Sequence, residues 1–366
     1  MKNNFEYNLC NWCLRRQYIK NYRLKKIVED CEICHGIENQ IHKISYKIIE
    51  ATRDYQYDTF LIGLTLDHSF YDNEDKFRSR FKIRGKENIK ASLLREIRKT
   101  FGKISNKRID LNSPDISVNL QIGKKFETTV AVNSSTVILS GRYWKPKRFR
   151  SISKNSDKDD CLEINQRHIE KLLKKKLMTL FHSESIIFWP LGKEEPESLV
   201  LGNGRPFYVT IKNSKLITFK HGFSIRSNGL IFNIKEKLPI LPMAAPFYIK
   251  KVRTLVTCEN NLISSDLKLI NDSGIRIIES YSKRNKSWKF VYQMQSELKT
   301  QKKFELIIIC DNRFPIRKFI NGNENISPNL YQILDKRCTC EFYDILDIFS
   351  EDDFLNQEYV PIKSNE

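Results

Sequence analysis

Apolar positions along this chain change period several times, and each change marks an element. Residues 57–66, YDTFLIGLTL, form an apolar run of strand length. In 85–101, GKENIKASLLREIRKTF, the residues Ile89, Leu93, Leu94, Ile97 and Phe101 recur at helical spacing and share one face. DISVNL (115–120) and TTVAV (128–132) alternate as half-buried strands do, while STVILS (135–140) is more continuously apolar. Between 57 and 144 the predicted order is therefore strand, helix, strand, strand. The polar stretch SISKNSDKDD at 151–160 reads as a linker. Beyond it Ile169, Leu172, Leu173, Leu177, Leu180 and Phe181 make the apolar face of a second helix. After residue 185 short strand-patterned runs dominate, among them PFYVTIK, RTLVTC and FELIIIC, with helical pieces between. The fold class is α+β, without an internal repeat or a low-complexity tract.

At 366 residues the chain is long enough for roughly two or three domains, and 40% apolar residues suffice for a core in each. Lys and Arg number 63 against 44 Asp and Glu, a formal charge of +19. An excess of that size, spread along the chain, points to a polyanionic partner, first of all nucleic acid. The longest apolar run, 306–310, is far short of a membrane span, and MKNNFEYNLC carries no signal-peptide apolar region. No membrane association and no obligate protein partner is indicated, and a cytoplasmic protein is expected. In that compartment the nine Cys are read as thiols and metal ligands rather than disulfides.

Four of them open the chain as C-x2-C, seventeen residues, C-x2-C: Cys10, Cys13, Cys31 and Cys34. Each knuckle lets two thiolates reach one tetrahedral ion, so the set predicts a structural zinc that supplies folding energy to a short segment. His35 and His42 lie near enough to substitute, but four thiolates already close the coordination sphere. Cys161, Cys258, Cys310, Cys338 and Cys340 are read as small buried apolar residues.

A second feature is GRYWKPKRFRSISK (141–154), in which Arg142, Lys145, Lys147, Arg148, Arg150 and Lys154 alternate with Tyr143, Trp144 and Phe149 and no acid intervenes. Cations meet phosphates and aromatics stack on splayed bases, a combination suited to RNA. Lys174 to Lys176 lie on the polar face of the second helix and read as a solvated face. A third feature is GKEEPESLVLGNGRPF (192–207), where Gly202 and Gly204 permit left-handed backbone and a close approach to a phosphate.

The order CNWCLRRQ, CEICHG, RFKIRGKENIKASLLREIRK, PDISVNLQI, GRYWKPKR and LGNGRPF resembles the archaeal tRNA pseudouridine synthase family acting on uridines 54 and 55 of the T arm. The resemblance covers nearly the whole chain. It implies a zinc-binding four-cysteine segment at 1–50, a THUMP-like α/β RNA-binding domain at 51–150, a linker at 151–160, and a pseudouridine synthase-like domain with a mixed central sheet at 161–366. It implies no cofactor for the isomerisation itself. In such enzymes the uridine is flipped into a pocket, where an Asp carboxylate lets the base detach, rotate and rejoin through carbon.

The family's Gly-Arg-Glu-Asp falls on Gly192, Lys193, Glu194 and Glu195, making Glu195 the catalytic carboxylate and Lys193 its basic partner. Arg205 is assigned to the substrate phosphate or to that carboxylate. Arg253 and Arg317 join it in substrate binding, together with Lys145, Lys147, Arg148 and Arg150 on tRNA. The family's pocket aromatics fall on Val252 in KKVRTLV and Pro315 in PIRKF, and ISGDEGRT.P becomes INGNENISP. An extra methylene at 195 and Lys in place of Arg at 193 both loosen the expected geometry. Three readings follow: a tRNA pseudouridine synthase, a catalytically weak or inactive tRNA-binding homologue of that family, and a zinc-ribbon protein working on DNA. The last explains charge and Cys but leaves LGNGRPF without a role.

Overall fold

The computed structural model describes residues 8–19, 31–148, 166–192, 194–217, 222–243, 246–272, 276–281 and 286–355. Lys193, Arg150, Phe149, Cys161 and the 151–160 linker lie outside them. The chain divides into two compact units.

The first unit comprises 1–136 with 181–185 and 212–219. It begins with α1 (Asn11–Arg16), a 3-10 turn (Ile37–Gln40) and α2 (Ile41–Thr52). Then follow β1 (Thr59–Leu66), α3 (His68–Phe81), α4 (Ile89–Ser105), β2 (Arg108–Ile109), β3 (Ile116–Ile122) and β4 (Thr128–Ser134). The sheet order is β2-β1-β3-β4, with β1 parallel to both neighbours and β4 antiparallel to β3. Helix α4 buries Ile89, Leu93, Ile97 and Phe101, as its periodicity predicts, and Asn88 caps it by accepting from Ala91 N at 2.7 Å. Helix α3 is an addition to the predicted order. It starts at Asp67, whose side chain accepts from Ser69 N at 3.0 Å, and it buries only Phe70, Glu74 and Phe77. Glu74 gathers Arg16 and Gln17 of the cysteine-bearing segment, the Ile89 amide at 3.0 Å and Arg78 at 3.3 Å. A buried carboxylate with four donors ties the first knuckle to α3 and α4.

The second unit comprises 137–180, 186–211 and 220–366. Its elements are β5 (Val137–Lys145), α5 (Gln166–Phe181), β6 (Ser185–Pro190), β7 (Val200–Lys212), β8 (Ser224–Ser227) and β9 (Leu230–Leu238). They continue with β10 (Tyr248–Cys258), α6 (Ser264–Asn271), β11 (Arg276–Tyr281), β12 (Lys286–Thr300) and β13 (Lys303–Asp311). The last are α7 (Ile316–Ile320), β14 (Ile326–Ser327), α8 (Leu330–Leu334), β15 (Cys338–Ser350) and α9 (Glu351–Leu355). One mixed sheet runs β14-β11-β12-β13-β10-β15-β7-β5-β9-β8, with β6 on β7. Strand β15 is parallel to β7, and the other pairs around it are antiparallel. Strand β5, grouped with the THUMP-like segment on sequence grounds, instead pairs with β7 and β9, so the second unit starts at Val137.

Of the five later cysteines, Cys310 and Cys340 are buried thiols. Cys258 and Cys338 stand directly opposite each other on β10 and β15 and are joined as a disulfide. The expectation of simple buried thiols is corrected for that pair, because the antiparallel register sets their Cα atoms 4.2 Å apart.

Candidate active site and thiolate cluster

The loop between β6 and β7 carries both acids of GKEEPES, and their environments differ. Glu195 lies at the surface of a cavity, and Arg317 of α7 meets it fork to fork, with Nε and Nη2 each 2.6 Å from a carboxylate oxygen. A bidentate guanidinium fixes both the plane and the charge of a carboxylate. The same hydrogen bonds push the Arg317 pKa up. Among the described residues, the cation on Glu195 is thus Arg317, which the sequence assigned to substrate.

Glu194 turns the other way. Its side chain is 5% exposed, with Oε2 2.8 Å from Arg205 Nε and accepting from Tyr143 Oη at 2.8 Å, and Oε1 3.9 Å from Lys145 Nζ. Lys145 also donates to the carbonyls of Glu195 at 3.0 Å and Pro196 at 2.9 Å. Arg205 and Lys145 are fully buried and Tyr143 nearly so. Burial pushes the Lys145 ammonium down while Glu194 pulls it back up. Three expected RNA or substrate contacts are therefore interior: Lys145 and Arg205 are engaged by the loop, and Tyr143 has no face open to stack on a base. The motif gives Glu194 no role of its own beside Glu195. Its one signal was that, of the motif's two acids, it alone matches the family unchanged.

The glycines of LGNGRPF serve the protein's own packing. Gly202 has φ of +54°, and a Cβ there would stand 2.3 Å from Leu346 O; Gly204 has φ of +73°, and its Cβ would meet the Trp144 ring at 2.7 Å. Asn203 N donates to Asp347 at 2.8 Å, and Trp144 Nε1 donates to Gly202 O at 2.7 Å. The segment is a bulge of β7 opposite Trp144.

The cavity beside Glu195 has a volume of about 860 Å³, within the range of ligand pockets. Trp189, Phe314 and Tyr343 line it together with Lys250, Glu195 and Arg317. Val252 is 0% exposed in the β10 core, and the tyrosine at the cavity comes from neighbouring β15 as Tyr343. Burial, then the Glu195 charge, pushes the Tyr343 phenol up to about 12. Pro315 lines the cavity without supplying a ring system that could stack. Lys250 is buried at the cavity wall, donates to Phe314 O at 2.9 Å, and is lowered to about 8 by desolvation.

Arg148 and Arg253 share Asp344, which is 0% exposed and also accepts from Leu199 N at 3.1 Å. The two arginine side chains are 36% and 38% exposed. Lys147 is exposed as well. With Arg317, whose side chain is 40% exposed, these three are the expected RNA or substrate contacts that lie at a surface among the described residues.

In the first unit, the ligand atoms of Cys10, Cys13, Cys31 and Cys34 all lie within 4.8 Å of one another. Tetrahedral zinc with bonds of about 2.3 Å needs sulfur separations of roughly 3.8 Å, and Cys10 Sγ is 3.6 Å from Cys34 Sγ. The four thiols fit such an ion. His35 is engaged with Asn73 at 2.8 Å and stands outside the set.

The second unit is a mixed-sheet domain with an acid loop beside a cavity of about 860 Å³, and it follows a small α/β unit in the chain. Residues 44–121 match the archaeal Pus10 THUMP domain and residues 138–349 match the Pus10 C-terminal domain, so the chain belongs to the Pus10 family. Similar curated proteins include the tRNA pseudouridine synthase Pus10 of Nitrosopumilus maritimus, 26% identical with 94% of this chain and 95% of the relative covered. Those of Cenarchaeum symbiosum and Pyrococcus furiosus are each 23% identical, over 93% and 94% of this chain and 86% and 96% of theirs. Among the described residues no helix is long and apolar enough to cross a membrane.

Proposed function

We propose that the chain is a tRNA pseudouridine synthase acting on uridine 54, 55 or both in the T arm. The observation that carries this is Glu195, held by Arg317 at the edge of a cavity of nucleotide size in a Pus10 C-terminal domain. A flipped uridine enters with its base against Tyr343, Phe314 and Trp189, and the Glu195 carboxylate acts on the nucleotide. The N1–C1′ bond breaks and a C5–C1′ bond forms; C5 loses a proton and N1 gains one, so atoms and electrons balance without a cofactor. Glu replaces the family's Asp, and the two-point contact with Arg317 supports it by orienting the longer side chain.

Arg148, Arg253 and Lys147 are the cations we assign to tRNA phosphates, and Arg150 and Lys193 remain assigned to RNA and to Glu195 on sequence grounds alone. Zinc is the metal we assign to Cys10, Cys13, Cys31 and Cys34, as a structural ion: four thiolates leave no open position for a substrate.

The test is to incubate the protein with an unmodified tRNA transcript and map pseudouridine along it. Conversion in the T arm that stops when either uridine is replaced by cytidine identifies the position used. A folded protein that binds tRNA and converts no uridine would be the binding homologue instead.

A further inference from the structure

We propose that Tyr143, Lys145, Glu194 and Arg205 form a buried positioning cluster that fixes the backbone under Glu195, and that none of the four contacts RNA. The inference deepens the reading just given and rests on it for its catalytic consequence. Its structural part stands by itself.

Leu191, Gly192 and residues 194–199 belong to no helix or strand, yet they are held at many points. Leu191 O accepts from Arg205 Nη1 at 3.2 Å and from Asn312 Nδ2 at 3.3 Å. Gly192 has φ of +93°, and a Cβ there would lie 2.7 Å from Arg205 Nη1 and 2.8 Å from Asn312, so side chains close over the bare backbone. The Glu194 carboxylate sits between Arg205 and Tyr143 with Lys145 beside it, and Lys145 then takes the two carbonyls that follow. Arg205 and Lys145 put two cations against one buried anion. The second cation is offset by the backbone carbonyls it holds, whose oxygens carry partial negative charge.

The chemistry explains why such a frame is needed. Glu195 has one more rotatable bond than Asp, and a displacement of about 1 Å can cost ~100-fold in rate. Arg317 orients the carboxylate from the cavity side but cannot place the Cα. Lys145, on the carbonyls of Glu195 and Pro196, and Glu194, the residue before, do that from the interior. The cluster also has a sequence logic: Tyr143 and Lys145 are inward positions two apart on β5, and Arg205 faces Tyr143 across the β5–β7 ladder.

Lys145→Met separates a positioning lysine from a phosphate-binding one, with exposed Lys147→Met as control. We expect Lys145→Met to leave tRNA affinity and its salt slope unchanged and to lower kcat by roughly 10- to 100-fold at constant KM. Amide exchange at Glu195, Glu197 and Ser198 should accelerate while β10 and β15 keep their protection. Lys147→Met should instead reduce the salt slope by about one. A reduced slope for Lys145→Met with unchanged loop exchange would overturn the proposal, as would exchange that rises equally through the whole domain. Should Lys145→Met fail to fold, Tyr143→Phe removes a single hydroxyl and must accelerate loop exchange; unchanged exchange there overturns the proposal too. A wild type that converts no uridine defeats only the proposed activity, because exchange and salt slope still decide the cluster.

Discussion

Arg317 and Glu195 meet through two parallel hydrogen bonds of 2.6 Å, although 122 residues separate them in the chain. Helix α7 and the β6–β7 loop therefore build one site, and each residue is about a third exposed toward the cavity. Glu195→Gln keeps the shape and removes the charge. Pseudouridine formation should fall below detection while tRNA affinity stays within about twofold, since the phosphate contacts we propose lie on other residues. Arg317→Lys keeps the charge but loses the fork, and should cost about 10- to 100-fold in kcat. Single-turnover mapping of the T arm reads both. Conversion that persists in Glu195→Gln would remove Glu195 from the chemistry.

Tyr343 supplies the ring that the Val252 position lacks, from the adjacent strand. If the base stacks on it, Tyr343→Phe should retain activity to within about tenfold, and Tyr343→Ala should lose considerably more, on the scale of the ~1–3 kcal/mol typical of base–aromatic stacking. Equal losses in both variants would assign the hydroxyl, not the ring. Val252→Tyr should fail to rescue Tyr343→Ala, because Val252 is packed at 0% exposure and a larger side chain would strain the β10 core.

The thiolate cluster and α3 are coupled through Arg16, which stands three residues after Cys13 and is buried against Glu74. Purified protein should carry one zinc per chain, lost by Cys13→Ser. Glu74→Gln leaves Arg16 buried without its counter-charge, and a broken buried pair of this kind costs about 3–5 kcal/mol. Zinc should also leave that variant faster in a chelator competition. Unchanged retention would mean that the knuckles hold the ion independently of α3.

Which parts of this architecture could be read in advance follows from where their signal lies. The Cys quartet is legible because a tetrahedral ion imposes a spacing, and α4 because an apolar stripe imposes a period. Helix α3 is nearly invisible, since HSFYDNEDKFRSRF contains two buried aromatics and a buried carboxylate amid charge. Glu194 and Glu195 are adjacent acids, and which one turns inward depends on Arg205, Tyr143 and Arg317, partners brought from three other elements. Lys145 and Lys147 likewise read alike in a basic run. Strand alternation sends the first into the core and leaves the second in solvent, a distinction that required β5 to be recognised as extending to residue 145.

Lys250 couples the stability of the fold to pH. Its folded pKa is about 8 against an ordinary 10.5, because burial disfavours the ammonium. Below pH 8 the native state keeps a buried charge, which costs stability. Between pH 8 and 10.5 the native state has released that proton and the unfolded state still binds it, so this residue's contribution to the unfolding free energy rises with pH. Lys250→Met keeps the length without the charge and gives up one hydrogen bond to Phe314 O. At pH 7 the variant should be more stable by about 2 kcal/mol, the relieved charge burial less the lost hydrogen bond. That gain should shrink steadily as pH rises from about 8 toward about 10. Urea unfolding of both proteins across this range checks it, and taking the difference cancels the titration of groups that do not interact with Lys250. A gain that stays flat with pH would show that the ammonium is solvated in the native protein. The same variant removes a cation from the cavity wall. If Lys250 helps to hold the nucleotide, Lys250→Met should therefore raise KM for tRNA conversion even as it stabilises the fold.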